Sequence, residues 1–157
     1  MNEELSAVKR FFFKLDPVLR YRRYKERLAQ IDLVKARLAV DSKKEQIRQL
    51  KESRRDAVID QKTKEDTGVD VGHHRLYTNF IDGLDIIIES ETKVLTELNQ
   101  EMQKRSDIVK AKTIKRKTLE RMEDIEREKY IQWVIQTEQK TMDEIVGLKQ
   151  KAKEVVS

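Results

Sequence analysis

An uninterrupted heptad pattern in the second half of the chain constrains its fold more than any other feature. Apolar residues return at alternating steps of three and four from Tyr77 to Trp133, and no proline occurs between them. One set starts at Tyr77 and recurs every seven residues, and a second set starts at Phe80 and ends at Met122. Five apolar residues widen the pattern beside the second set: Ile81, Ile88, Leu95, Met102 and Val109. Such spacing is typical of a long helix with one narrow buried seam, as in a coiled coil.

The composition fits the same class of fold. Of the 157 residues 40% are charged, and the chain has one Pro, four Gly and no Cys. Charge-rich sequences with this periodicity form coiled coils, whereas disordered chains lack periodic apolar residues. The sequence therefore predicts an all-α rod, which favours a stalk, spacer or docking protein over an enzyme with an enclosed active site. The absence of Cys suits a reducing cytosol, and no apolar run approaches the length of a membrane span.

Helix-boundary signals divide the chain into four segments of a single domain, 1–157. Asp16 and Pro17 are typical of a helix start, and Gly68 can adopt the left-handed conformation that ends a helix. We expect an irregular or frayed leader over 1–15, helix 1 over 16–66, a turn over 67–72 and a longer helix 2 over 73–155. Two long helices joined by a short turn should pack as an antiparallel coiled-coil hairpin.

The apolar residues near the turn predict the register of this hairpin. When the two helices are folded back about the turn, Ile59 meets Phe80, and Leu50 meets Ile87 or Ile88. Apolar residues then face apolar residues along most of helix 1, as a coiled-coil seam requires.

Helix 1 carries its apolar residues in two series that differ in phase. The first series ends at Leu38 and the second includes Ile47, and this interval is not a heptad step. We therefore expect a stutter near residues 41–43. The first series consists of Tyr21, Tyr24, Leu28, Ile31, Val34 and Leu38.

At 1.5 Å per residue, helix 1 should be about 75 Å long and helix 2 about 120 Å long. Helix 2 therefore extends beyond helix 1 by about 30 residues in this register. Its last part should therefore lack a partner within the chain. That part contains Tyr130, Trp133, Val134 and Ile145. We expect this overhang to fray in water or to bind another protein, with Trp133 at the interface.

No constellation of residues predicts catalysis, a cofactor or a metal site. His73 and His74 are adjacent rather than four residues apart, so they do not form a helical metal pair. The formal net charge is +5, but 34 basic residues are interspersed with 29 acidic ones. The basic stretch 104–121 places Arg105, Lys112 and Lys115 on the seam. We interpret it as a solvated, locally unzipped segment or a surface for an acidic partner, and nucleic-acid binding as the weaker alternative because interleaved aromatic residues are missing.

Four phrases of the sequence carry a family resemblance: Phe13–Glu26, Tyr77–Leu84, Lys117–Met122 and Glu138–Ile145. They resemble the FliJ family, the stalk proteins of bacterial flagellar type III export. The run from Phe13 to Glu26, FKLDPVLRYRRYKE, is similar to the family's opening F-x-L-x-x-V-L-x-x-R. The similarity continues in three later phrases: Tyr77–Leu84, Lys117–Met122 and Glu138–Ile145. It thus covers nearly the whole chain from Phe13 onward.

The resemblance implies a non-enzymatic stalk similar to the central shaft of rotary ATPases. One end, formed by both termini, would insert into the pore of the hexameric export ATPase. Another region would engage the cytoplasmic ring of the export gate, and the protein would help to recycle export chaperones. It would need no cofactor or small-molecule substrate. Its place would be the cytoplasm, peripherally associated with the inner membrane at the flagellar base.

The matched phrases and the overhang assign candidate contact residues to each end. The candidates for the export gate are Tyr77, Phe80, Ile81 and Leu84. The resemblance implies ATPase contacts at Phe13, Leu15, Pro17, Val18, Leu19, Arg20, Lys140, Asp143, Glu144 and Ile145. The overhang adds Tyr130, Trp133 and Val134. The alternative functions are the stalk of a virulence type III secretion system, a basic coiled-coil nucleic-acid-binding protein and a generic cytoskeletal rod.

Overall fold

Two long helices make up the fold. The computed structural model describes residues 10–68 and 70–155, and no strand occurs in that part of the chain. Helix α1 spans Asp16–Asp66 and helix α2 spans Val71–Val155. The helices pack against each other and α2 is the longer one, so the predicted all-α hairpin is confirmed. Helix α2 begins two residues before the predicted position, and residues 1–9 of the predicted leader lie outside the described residues.

The packing of the two helices falls into two compact units. The terminal unit consists of Met1–Tyr24 and Thr113–Ser157, and the turn unit consists of Lys25–Lys112. Each unit therefore contains a segment of both helices.

Helix α1 begins in the terminal unit, directly after residues that lie against α2. The amide of Asp16 donates to the carbonyl of Phe13 at 3.1 Å, and the amide of Leu19 donates to the carbonyl of Leu15 at 2.9 Å. The Asp16 carboxylate accepts a hydrogen bond from Nε of Arg20 at 2.8 Å. A carboxylate in the first turn also interacts favourably with the positive end of the helix dipole.

The turn between the helices uses the left-handed conformation predicted for Gly68. Its φ is +84°, which is accessible to glycine at little cost. The amide of Gly68 donates to the carbonyl of Glu65 at 3.2 Å and closes the last turn of α1. The carbonyl of Asp70 accepts the amides of His73 and His74 at 3.0 and 3.3 Å and opens α2.

The seam side of α1 keeps one heptad phase through the turn unit. Glu26, Leu33, Val40 and Ile47 are all buried and follow one another at intervals of seven residues. The interval does not change across residues 41–43, so the predicted stutter is wrong. The apolar series that ends at Leu38 lies on another face of α1, so the step from Leu38 to Ile47 compares two faces rather than two positions of one row.

The seam side of α2 differs from the predicted one by a single row. Ile81 and Leu84 are buried, at 9% and 7% exposure, whereas Phe80 is 55% exposed. The row that starts at Ile81 packs in the seam together with the Tyr77 row, and the row of Phe80 lies outside it. Consequently, the predicted pairing of Ile59 with Phe80 is wrong, because both side chains are more than half exposed.

Ion pairs between the helices fix the antiparallel register of the turn unit. Lys43 Nζ lies 2.5 Å from the Glu91 carboxylate, and Arg54 binds the Asp85 carboxylate with two nitrogens. Residue numbers rise along α1 as they fall along α2. These pairs agree with the predicted register to within a few residues.

Candidate docking surfaces

An aromatic cluster connects the segment before α1 to α2 in the terminal unit. The ring centroids of Phe11 and Tyr130 are 5.6 Å apart, and those of Tyr130 and Trp133 are 6.1 Å apart. The Arg127 guanidinium lies 5.0 Å from the centroid of Phe11, within the range of a cation–π interaction. The expectation that Tyr130 lacks a partner within the chain is therefore wrong.

The described part of the leader packs on the helices through its alternate side chains. Phe11 is half-buried and Phe13 is buried, whereas Phe12 between them is 74% exposed, and Leu15 is again half-buried. A segment that buries one aromatic ring and stacks another has enough apolar contact to remain ordered. Residues 10–15 form no helix or strand, as expected for an irregular leader, whereas the alternative of a frayed leader is wrong for these residues because they pack on the helices.

The candidate ATPase contacts divide into packed and exposed residues. Phe13 and Leu19 are buried and Leu15, Tyr130 and Val134 are half-buried, so their side chains serve mainly for packing. The exposed candidates are Pro17, Val18, Arg20, Trp133, Lys140, Asp143, Glu144 and Ile145. The sequence analysis missed Phe12, although its place in a run of three phenylalanines was a usable signal.

Trp133 borders a shallow groove on α2 in the terminal unit. It is 51% exposed. The groove is lined by Ile125, Glu128, Lys129, Gln132, Trp133 and Gln136. A half-exposed indole beside an isoleucine and flexible polar side chains is typical of an anchor residue at a protein interface.

Tyr77 and Lys64 join the two helices close to the turn. Lys64 Nζ donates to the Tyr77 hydroxyl oxygen at 2.6 Å and lies 5.0 Å from the centre of its ring. The hydrogen bond to Tyr77, followed by the charge interaction with it, raises the pKa of Lys64 above its usual value. Tyr77 is half-buried, and its contact with Lys64 links α2 to α1.

Of the four candidate export-gate contacts, the structure exposes mainly Phe80. Ile81 and Leu84 are buried in the seam. Ile87 was expected in the seam and not among the candidate gate contacts, but it follows Phe80 by one heptad and is also exposed. Ile87 lines a surface groove with Gln46, Gln49, Leu50, Ser53 and Glu91. The heptad spacing from Phe80 was the signal that could have found it.

The basic stretch of α2 remains helical and in contact with α1. Arg105 donates to Glu101 at 2.8 Å and lies 3.8 Å from Asp32 of α1. Lys112 lines a groove together with Leu28 and Ile108. The interpretation of a locally unzipped segment is therefore wrong at Arg105, because this side chain extends from the seam to a carboxylate of the partner helix.

His74, close to the turn, contacts side chains of α1. His74 Nδ1 lies 2.8 Å from the Glu65 carboxylate and 3.3 Å from Gln61 Nε2. Within residues 10–68 and 70–155, no group of three or more His, Cys, Asp or Glu side chains could hold a metal ion. No helix in that same part is long and apolar enough to cross a membrane.

These features define a class of protein: an antiparallel two-helix coiled coil that exposes aromatic and aliphatic side chains in both of its units. A comparison with protein-family models gives a match over residues 11–154 to the family described as flagellar FliJ protein. The chain therefore belongs to the FliJ family, the stalk-type proteins of flagellar export. No curated protein and no solved structure matches the chain.

Proposed function

We propose that this protein is the non-enzymatic stalk of the bacterial flagellar type III export apparatus, binding both the export ATPase hexamer and the export gate. The family match over residues 11–154 is the observation that carries the proposal. It favours the flagellar system over the virulence and nucleic-acid alternatives. The family's export role further supports chaperone recycling and a place on the cytoplasmic side of the inner membrane at the flagellar base.

The terminal unit is the proposed ATPase contact. Phe12 follows Phe11 in the sequence, the ring centroid of Trp133 lies 6.1 Å from that of Tyr130, and both side chains are exposed. Lys140 and Arg20, the latter paired with Asp16, are exposed basic side chains of the same unit. Aromatic residues that are already held in place lose little side-chain entropy when a partner covers them. The Phe11–Tyr130 contact supplies that order before binding.

The Phe80 face of the turn unit is the proposed gate contact. We define it as Phe80 and Ile87, which are exposed one heptad apart on α2. The groove beside Ile87 is open between the two helices and could accept a side chain of the gate ring. Tyr77, Ile81 and Leu84 belong to the adjacent seam rows of α2 and are buried or half-buried, so they hold α2 in place rather than forming the contact.

Two substitutions test the two contacts against each other. With the purified export ATPase, Trp133→Ala should reduce stimulation of ATP hydrolysis and weaken binding by about tenfold or more, as expected for loss of an aromatic anchor. With the purified cytoplasmic ring of the gate, Phe80→Ala should weaken binding by a similar factor. Titration of each variant with each partner measures both effects.

Each variant is the control for the other. Trp133→Ala should bind the gate ring as the wild type does, and Phe80→Ala should stimulate the ATPase normally. Loss of both activities in either variant would contradict the assignment of separate contacts. A wild-type chain that bound neither partner would overturn the proposed function itself. Point variants are preferable to deleting the end of α2, because a deletion that includes Tyr130 would also remove its contact with Phe11.

A further inference from the structure

Four large apolar side chains form a continuous exposed stripe on α1. Leu28, Ile31, Val34 and Leu38, here called the outer stripe, are 39–63% exposed. They follow one another at steps of three and four residues, the spacing of side chains on one helix face. All four belong to the turn unit. Single exposed apolar residues are ordinary, but a continuous set indicates a surface that another molecule covers.

Ile31, Val34 and Leu38 of the outer stripe lie on the side of α1 opposite the seam, whereas Leu28 at its end also lines the groove with Ile108 and Lys112 of α2. Ile31 is two residues from the buried Ala29 and Leu33, and Leu38 is two residues from the buried Val40. Two residues rotate the side-chain direction by about 200° at 3.6 residues per turn. A helix could therefore pack on the outer stripe while α2 keeps its place in the seam.

The exposed charges beside the outer stripe are mostly positive. Arg27, Lys35 and Arg37 are exposed, and within the described part of the chain none of them has a carboxylate partner. Asp32 lies 3.8 Å from Arg105 of α2, and Asp41 is the other carboxylate nearby. The stripe is thus an apolar row with an excess of available cations at its edges.

We propose that the outer stripe binds an acidic amphipathic helix of a partner protein. Apolar residues of that helix, spaced by three and four, would pack between Leu28, Ile31 and Leu38. Its Glu or Asp residues would lie opposite Arg27 and Lys35, where opposite charges favour one partner and one orientation. The outer stripe is separate from Trp133 and from the Phe80 face, so this inference goes beyond the proposed function and does not depend on it.

Charge and width decide against two other occupants. A second copy of the chain, paired through the same stripe, would bring two surfaces together that both carry Arg27, Lys35 and Arg37, and like charges repel. A membrane surface requires a helix with a broad apolar face, whereas this stripe is narrow and charged residues lie on both sides of it.

A synthetic peptide of about three heptads tests the proposal, with Leu and Ile at the apolar positions and Glu at the flanking ones. Its counterpart carries Lys at the flanking positions. Fluorescence anisotropy of each labelled peptide, titrated with the full-length chain, measures affinity. We expect the Glu peptide to bind, the Lys peptide not to bind, and binding to weaken as salt is raised.

Matched variants locate the binding site. The double variant Ile31→Ser and Leu38→Ser should lower affinity for the Glu peptide by about tenfold or more. Ile59→Ser is the control, because Ile59 is equally exposed on the same helix and lies outside the outer stripe. It should bind as the wild type does. The double variant Arg27→Glu and Lys35→Glu should bind the Lys peptide instead.

Four outcomes would overturn the proposal. Failure of the Glu peptide to bind, or equal loss of binding in Ile59→Ser, would remove the outer stripe as the site. Binding to anionic phosphatidylglycerol vesicles but not to the Glu peptide, abolished by the Ile31 and Leu38 substitutions, would assign the stripe to membranes. A dimer in sedimentation equilibrium that the same substitutions dissociate would assign it to a second copy. Circular dichroism melts establish that each variant is folded.

Discussion

Arg48 organises a small charged group on the exposed side of α1. Its guanidinium donates to Glu45 at 2.7 and 2.8 Å and to Glu52 at 2.5 Å, and Gln49 donates to Glu45 at 3.0 Å. The hydrogen bond from Arg48, followed by that from Gln49, lowers the pKa of Glu45 from 4.5 to about 2. The same pairing raises the pKa of Arg48 further above its usual value. Folding therefore favours the ionised form of Glu45.

The lowered pKa of Glu45 predicts a specific response to acid. Because the folded-state pKa lies below the unfolded one, the stabilisation is complete above pH about 4.5 and is lost as the pH falls towards about 2. Glu45→Gln should reduce stability at neutral pH and flatten the decline over this range. Thermal melts of both proteins across the range measure the difference.

High salt provides the control for this effect. The group is exposed, so added salt should screen the charges and bring the wild type closer to Glu45→Gln. An equally steep decline in both proteins at low salt would show that Glu45 does not contribute to it.

At the scale of the elements, the sequence predicted two helices, their turn at Gly68 and their register, because each has a local signal. It did not predict which rows form the seam. Two apolar rows of α2, starting at Phe80 and at Ile81, lie on either side of the Tyr77 row. Spacing alone does not show which of the two is buried. Only contact with α1 separates them. Similarly, α1 has one apolar row in the seam and the outer stripe on its opposite face.

The assignment of the seam predicts unequal losses of stability for substitutions at Leu84 and Phe80, which lie about one helical turn apart. Leu84→Ala should lower the free energy of unfolding by about 2–4 kcal/mol, since it removes a buried side chain. Phe80→Ala should cost under about 1 kcal/mol, because more than half of the ring is already in water. Urea unfolding of both variants measures the two values. The reverse order would restore the row of Phe80 to the seam.

At the scale of the whole molecule, contacts between distant segments escaped the sequence analysis. Phe11 and Tyr130 are far apart in sequence, and no periodicity connects a segment without helical structure to a helix. Helix lengths alone predict an overhang of α2, because they take no account of the residues before α1, which pack on it. Candidate contacts such as Leu19 resembled those of the family for a different reason, since a buried side chain supports the fold.

A crosslink tests whether both helices of the hairpin come from one chain. The protein has no Cys, so Arg54→Cys with Asp85→Cys introduces one pair at a position where the two side chains meet. Oxidation should give a crosslinked monomer. Arg54→Cys with Lys93→Cys is the control, because Lys93 lies about two helical turns from Asp85 and should not form this bond. Crosslinked dimers alone would mean that the helices pair between chains.

The ion pairs of the turn unit also act against sliding. A shift of α2 by one heptad would keep apolar rows in contact, so the seam alone would tolerate it. After such a shift Lys43 would face Leu84 or Leu98 in place of Glu91, and Arg54 would face Thr78 or Thr92 in place of Asp85. Half-buried Lys43 would lose its carboxylate, which is costly in a partly desolvated position. The pairs therefore resist a change of register. A force along one helix is transmitted to the other, because the two helices do not slide past each other.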